Sequence, residues 1–258
     1  MTIDGFAPGA ENAFVSFDPE IADRWHSVVG WVARRAAIEV HGLDHLPEGG
    51  ALLVGNHAFG WDPVFLLAEV WRRQRRPVWV LGEHLWWRFP FLRRLAAAVG
   101  TVDGTQENAE RLLSGGALVL VLPGGLREAV KPRELRYRLL WGHRYGFVRA
   151  ALRTGVPIVP IASIGTDELF DFVGDAYRRG ERWLGSRRIP IPRPVGWLPI
   201  PRRTQVRILV GAPIAPSASP EQSADPRTLE RVRHEVAGAL HELIDVELAR
   251  RSGLDLGA

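Results

Sequence analysis

What most limits the possible folds is a set of short apolar runs that do not alternate with polar residues. Residues 51–54, 78–81, 117–122 and 156–164 are apolar along all or most of their length. Each run lies between residues that are glycine or proline. A strand with one wet face alternates, whereas an unbroken run is buried on both faces, as in a parallel sheet covered by helices. Segments with helical spacing lie between the runs. They are 64–71, 106–114 with Ala109, Leu112 and Leu113 inward, 146–153, and 226–251 with Leu229, Val232, Val236, Leu240, Ile244 and Leu248 inward. The expected fold class is α/β, with a mostly parallel central sheet flanked by helices. Shorter strands are expected at 38–41 and 205–210. Residues 85–99 read as a helix broken near Pro90, 100–104 as a turn, and 167–172 as a helical turn. Residues 174–201 read as a long surface segment without periodicity, and 216–225 as a linker.

The first run leads into the stretch richest in chemistry. Gly55, Asn56 and His57 follow it, and Asp62 stands before Pro63 at a helix start, where both residue types are favoured. His57 therefore lies in a turn from a strand's carboxyl end into a helix, the place where open α/β sheets bind ligands. On one continuous helix, five residues would set His57 and Asp62 about 140° apart. Across a turn into a helix start they can meet. A carboxylate bonded to one ring nitrogen leaves the other free to take a proton. That is a general base with its orienter. The same residues also fit a helix cap at Asp62 and a loop histidine with ordinary bonds.

The 258 residues, 46% of them hydrophobic, suffice for one sizeable core. There is no cysteine, so a disulfide, a thiolate metal site and a cysteine nucleophile are excluded, and a reducing compartment fits. His57 and Asp62 could ligate a metal, but no further ligands stand at convincing spacing and no metal is expected. Net charge is +4, and all but one of the 33 basic residues are arginine, the exception being Lys131. Arginines cluster at Arg34 and Arg35, at 72–76, at Arg178 and Arg179, at Arg187 and Arg188, and at Arg202 and Arg203. Trp31, Trp71, Trp183 and Trp197 stand near them. Arginine with tryptophan suits an anionic membrane surface, although a solvated surface would give the same cluster. Nucleic acid is the rival partner, and no RNA-binding or helix-turn-helix motif supports it. No apolar run reaches the roughly 18 residues of a bilayer span, and no basic-then-apolar leader opens the chain. Residues 20–37 have helical spacing, with Ile21, Trp25, Val28, Val29 and Val32 on one side. They suit either an interfacial helix or a docking helix.

After the 117–122 run come Pro123, Gly124, Gly125, Leu126, Arg127 and Glu128. Glycines let a backbone approach a ligand, and Arg127 can pair with a phosphate or carboxylate. Neither a P-loop nor a dinucleotide fingerprint is present. Taken in order, three blocks resemble the glycerolipid and lysophospholipid acyltransferase superfamily. The first is Asn56, His57 and Asp62, a His-x4-Asp motif after a strand. The next is Pro123-Gly124-Gly125-Leu126-Arg127. The last is Val156-Pro157-Ile158-Val159-Pro160. Many lysophosphatidate acyltransferases carry Glu where this chain has Gly124. Pro-Gly-Gly followed by Arg127 and Glu128 looks more like the branch that includes diacylglycerol acyltransferases. In the second block of the family an arginine is usual, and here Gly104 stands near that place.

The resemblance implies a single acyltransferase domain over 1–258, with an N-terminal segment and helix at 1–40, a catalytic core at 51–214 and a C-terminal helix at 226–252. It implies acyl transfer from acyl-CoA or acyl carrier protein to a hydroxyl of a glycerolipid or lysophospholipid, with no cofactor or metal. His57 and Asp62 would be catalytic. Asn56, Gly124, Gly125, Arg127, Glu128 and Pro160 would bind substrate, and backbone N–H groups near Gly124 and Gly125 are candidates to stabilise tetrahedral charge. The expected partners are that acyl donor, a lipid acceptor and an anionic membrane surface, with the protein peripheral on the cytoplasmic face. The alternative is an inactive lipid-binding protein of the same fold.

Overall fold

The computed structural model describes residues 18–59, 62–82, 100–170, 172–184, 190–191, 193 and 204–253. Seven strands form one sheet: β1 (Glu39–His41), β2 (Ala51–Gly55), β3 (Val78–Gly82), β4 (Thr101–Asp103), β5 (Leu118–Val121), β6 (Ile158–Ile164) and β7 (Arg207–Val210). Their order is β1-β7-β6-β2-β5-β3-β4. All neighbours are parallel except β6 and β7, which are antiparallel. The mostly parallel α/β sheet expected from the unbroken apolar runs is the one observed.

Successive side chains of the central strands enter opposite cores, as strand geometry requires. Leu52 and Val54 join one core with Val119, Ile158 and Ala162. Ala51 and Leu53 join the other with Leu118, Leu120, Val159 and Ile161. The first core is covered by α3 (Gln106–Ser114), α5 (Gly146–Thr154) and α8 (Pro226–Ser252), and the second by α1 (Pro19–Arg35) and α2 (Asp62–Gln74). Three further α-helices lie among the described residues: α4 (Gly125–Ala129), α6 (Thr166–Leu169) and α7 (Ala176–Leu184). The helix starts follow local chemistry. Asp18 caps α1, Thr105 caps α3 and Asp225 caps α8, each accepting from backbone N–H groups of the first turn. The five expected inward residues of α8 from Leu229 to Ile244 are buried, and Leu248 is partly buried.

Three expectations differ from the structure. Residues 101–103 form an edge strand, because Thr101 and Val102 pair with Val80 and Leu81; pairing outweighs their turn-like glycine flanks. Ala176–Leu184 is helical within the segment expected to lack periodicity. The residues expected to be a linker contain a short 3₁₀ turn at Pro220–Ala224. The expected helix at 85–99 lies outside the described residues, as do Arg187, Arg188, Trp197, Arg202 and Arg203.

Candidate active site

The sheet order decides where a ligand can lie. From β2 the chain passes through α2 on one face and reaches β3, beyond β5. From β5 it passes through α5 on the other face and reaches β6, beyond β2. The connections that leave the neighbours β2 and β5 therefore turn to opposite faces of the sheet, which makes the gap between these strand ends a switch point where α/β folds open a crevice. His57 follows the carboxyl end of β2, and Pro123, Gly124 and Gly125 follow that of β5. The first and third sequence blocks therefore meet there, and β6, with the last block, flanks β2 on its other side.

His57 is part-buried, and its main chain is gripped from both directions. Its N–H donates to Glu128 Oε1 at 2.7 Å. Its carbonyl accepts from Lys131 Nζ at 2.8 Å. The second Glu128 oxygen accepts from the Leu140 N–H at 2.6 Å. Lys131 Nζ also donates to Asp167 Oδ1 at 2.8 Å, with both side chains almost fully enclosed. Asp167 Oδ2 in turn accepts from the Tyr137 N–H at 2.7 Å. Burial pushes the Glu128 carboxyl up from the ordinary carboxylate range, against the opposing pull of Lys131 and of the two N–H donors. Both Glu128 oxygens nonetheless face donors, so the ionised form is the one that satisfies this geometry.

The other expected site residues divide by what they touch. Asn56 is buried, donating to the Ser163 carbonyl at 2.9 Å and accepting from the Ser163 N–H at 2.8 Å; it ties the end of β2 to β6. Pro160 is buried within β6 beside Val54, and its carbonyl accepts from Gly211. Asn56, Glu128 and Pro160 were expected to bind substrate, but their polar groups are engaged by the chain itself. The Gly125 N–H donates to the Leu122 carbonyl, which removes it as a donor for tetrahedral charge. Arg127 points away from Glu128. It is exposed, lies over the Tyr177 ring at 6.0 Å, and lines a cavity of about 550 Å³ with Leu135, Leu139, His143 and Arg144. Asp62 is the first residue of α2, as the Asp-Pro pair implied; its side chain lies outside the described residues. Among the described residues no cluster of side chains could hold a metal ion.

Sequence reading missed Lys131, Tyr137, Asp167 and Arg144. Arg144 donates to the carbonyls of Pro123 at 2.6 Å and Gly124 at 2.5 Å, bracing the glycine turn. Only Lys131 carried a visible signal, as the single lysine of an arginine-rich chain.

The model of a family described as Acyltransferase matches residues 37–164, a span that holds all three blocks. The chain belongs to the glycerolipid acyltransferase superfamily. It is similar to a mouse protein named "DGAT1/2-independent enzyme synthesizing storage lipids", at 30% identity over 80% of this chain and 59% of that one. Similarity to the human protein of that name is 31%, over 80% and 60%. An uncharacterized Mycobacterium tuberculosis protein is 31% identical over 80% of this chain and 62% of its own. The chain thus spans about three fifths of the length of these curated relatives. The fold is similar to that of the 1-acyl-sn-glycerophosphate acyltransferase PlsC of Thermotoga maritima, with TM-score 0.54 and 17% identity over 89% of this chain and 84% of that one.

Within this chain the departure at Gly124 has a steric meaning. A Cβ at position 124 would overlap the Glu128 carboxylate. The space that a side chain at 124 would take is filled by an acid from one helical turn later.

Proposed function

We propose that this acyltransferase moves a fatty acyl group from an acyl thioester, carried by coenzyme A or acyl carrier protein, to a hydroxyl of a glycerolipid or lysophospholipid. The observation that carries the reading is the position of His57, at the carboxyl end of the central strand, in the switch-point crevice, with its peptide held on both sides. His57 takes the proton of the acceptor hydroxyl as that oxygen attacks the thioester carbonyl. Asp62 is assigned to orient the ring. The tetrahedral intermediate collapses by breaking the carbon–sulfur bond, and the thiolate receives the proton from His57. The products are an ester and a free thiol, with no acyl-enzyme, which agrees with a chain that lacks cysteine. The exposed Arg127 and the neighbouring cavity supply an anion contact for donor or acceptor. The name of the mammalian relatives supports a storage-lipid acceptor, and the Gly124 departure supports one that need not carry a phosphate.

The reading includes reversible attachment to an anionic membrane, on the cytoplasmic face. No helix of the described residues is long and apolar enough to cross a bilayer. α1 buries Ala22, His26 and Val29 against the protein and leaves Ile21, Trp25, Val28 and Trp31 between 38% and 59% exposed. Both tryptophans are therefore outward-facing, with Arg24 and Arg34 exposed beside them and Arg35 stacked over Trp31 at 4.5 Å. Such a face suits the interface of an anionic bilayer.

The test is incubation of purified protein with labelled acyl-CoA or acyl-carrier protein and a panel of glycerol, monoacyl, diacyl and lysophospholipid acceptors, read by lipid mass spectrometry. Transfer to a lipid hydroxyl that disappears in His57→Ala supports the reading. Lipid binding without transfer to any acceptor would favour the inactive lipid-binding alternative. A strict requirement for lysophosphatidate would overturn the reading that the acceptor need not carry a phosphate.

A further inference from the structure

Beneath His57 the chain buries three ionisable side chains that the reaction itself does not use. Glu128 is 0% exposed and Lys131 is 6% exposed, with Asp167 at 8%. Burying ions is costly, and apolar residues of similar volume are often at least as stabilising. These ions make few contacts with one another and many with main chain. Glu128 takes the N–H of His57 and of Leu140. Lys131 takes the His57 carbonyl, and Asp167 holds both the ammonium and the Tyr137 N–H.

We infer that Glu128 and Lys131 are positioning residues for His57, a buried anion and cation that clamp the two polar groups of its main chain and so fix where its ring stands in the crevice. The inference rests on the reading of His57 as the base. Three further observations support it. First, the clamp is made by residues of α4 and its C-terminal end, the element that directly follows the Pro-Gly-Gly turn, so the third block reaches the first through main chain. Second, Gly124 leaves open the volume that the Glu128 carboxylate fills. The glycine and the acid four residues later are one device, and Arg144 holds the turn's carbonyls in place from the other side. Third, a chain that is otherwise entirely arginine-based keeps its single lysine here. An ammonium is compact and directs its three donors tetrahedrally, so it can meet two acceptors at 2.8 Å from within an enclosed space. A planar guanidinium is larger and presents its donors in a fork.

Positioning is worth a great deal in such a site, since a displacement of about 1 Å can cost about 10²-fold in rate. The test compares Glu128→Gln, Lys131→Arg and the charge-balanced pair Lys131→Met with Asp167→Asn, all in the full chain. Expected are melting curves that remain cooperative, a kcat lower by about 10²-fold, and a KM for the acyl donor within about threefold. A second readout does not depend on activity: amide hydrogen exchange at His57, followed by mass spectrometry or NMR, should quicken in each folded variant while exchange in β2 and β5 is unchanged. Faster exchange with full kcat would overturn the positioning role. Unchanged exchange and unchanged kcat would show that the contacts are not a clamp. If instead His57→Ala kept near-wild-type turnover, the base reading would fail, and with it this inference, whatever the Glu128 and Lys131 variants did.

Discussion

The floor under His57 and the outer face of α1 break the same rule in opposite ways. Under His57 charged side chains are enclosed, and on α1 large apolar side chains face outward. Charge is ordinarily kept wet and large apolar surface dry. In the first region every buried charge has a main-chain group to hold, so the departure is resolved within the molecule. In the second, the helix already satisfies its inner face with Ala22, His26 and Val29. Ile21, Trp25, Val28 and Trp31 are left exposed among the described residues, and we read their departure as pointing outside the chain. Internal violations concern geometry; external ones concern what the protein meets.

The two regions can be separated by substitution. The largest effect is expected at the centre of the clamped turn. His57→Ala should abolish transfer, and Asp62→Asn, which would leave the ring in the wrong tautomer, should lower kcat by about 10⁴-fold by analogy with hydrolase triads. A thermal melt of each variant separates lost chemistry from lost folding. An Asp62→Asn protein that melted early yet turned over normally would make Asp62 only a helix cap. Next in size is Gly124→Ala, which forces the Glu128 carboxylate aside and should lower kcat by about 10-fold to 10²-fold. Wild-type turnover there would mean that the carboxylate can move without consequence.

The seam between α1 and the body is expected to respond to pH. Burial holds the His26 imidazole down to about 4, against the opposing influence of Asp23. Its Nδ1 is buried with no hydrogen-bond partner among the described residues. The unfolded chain, with an ordinary value of 6.5, takes up a proton first as pH falls. Stability is therefore full above about pH 6.5 and is lost progressively down to about pH 4, by on the order of 2 kcal/mol after allowance for solvent screening. His26→Leu should flatten that slope in denaturant titrations. An equally steep slope in the variant would place the acid sensitivity elsewhere. The smallest effect belongs to the outer face. Trp25→Ala with Trp31→Ala should weaken co-sedimentation with anionic liposomes by about 10-fold, on the order of 1.4 kcal/mol, while leaving the melting curve and the turnover of a detergent-dispersed acceptor unchanged. Equal binding by wild type and variant would detach α1 from the membrane reading.

The sequence made the sheet legible because its strands are buried on both faces, and such strands announce themselves as unbroken apolar runs. α3 is legible to the residue, since Thr105 caps it and its three inward residues keep strict spacing. α7 was missed although its spacing could be read: Ala176, Tyr177, Gly180, Trp183 and Leu184 share one side against Arg178, Arg179, Glu181 and Arg182, and the glycines, prolines and arginines of the sequence around this short pattern obscure it. The reversed direction of β7 leaves no mark in a four-residue run, and β4 exists only through its partner. For α1 the helix was legible and its orientation was not: of Ile21, Trp25, Val28, Val29 and Val32, which share one side by spacing, Val29 is buried and Val32 partly buried, and Ala22 and His26 complete the inner face. At the site, His57 and the glycine turn could be read because they are local motifs. The clamp could not. Glu128 and Lys131 lie 71 and 74 positions from His57, and a charged residue gives no local sign that it will be enclosed.

Under the acyl transfer proposed above, the solitary, enclosed Lys131 has a chemical consequence. Thioesters and other acylating agents react with exposed amines to form stable amides. Apart from its α-amino group, the folded chain presents no side-chain amine for such a reaction, since every other cation is a guanidinium, which stays protonated and is a poor nucleophile at neutral pH. The one ammonium it does carry is shielded by the His57 carbonyl and the Asp167 carboxylate. The chain therefore offers such donors no free lysine side chain with which to form an amide, and its single lysine is bared only when the turn that bears His57 comes apart.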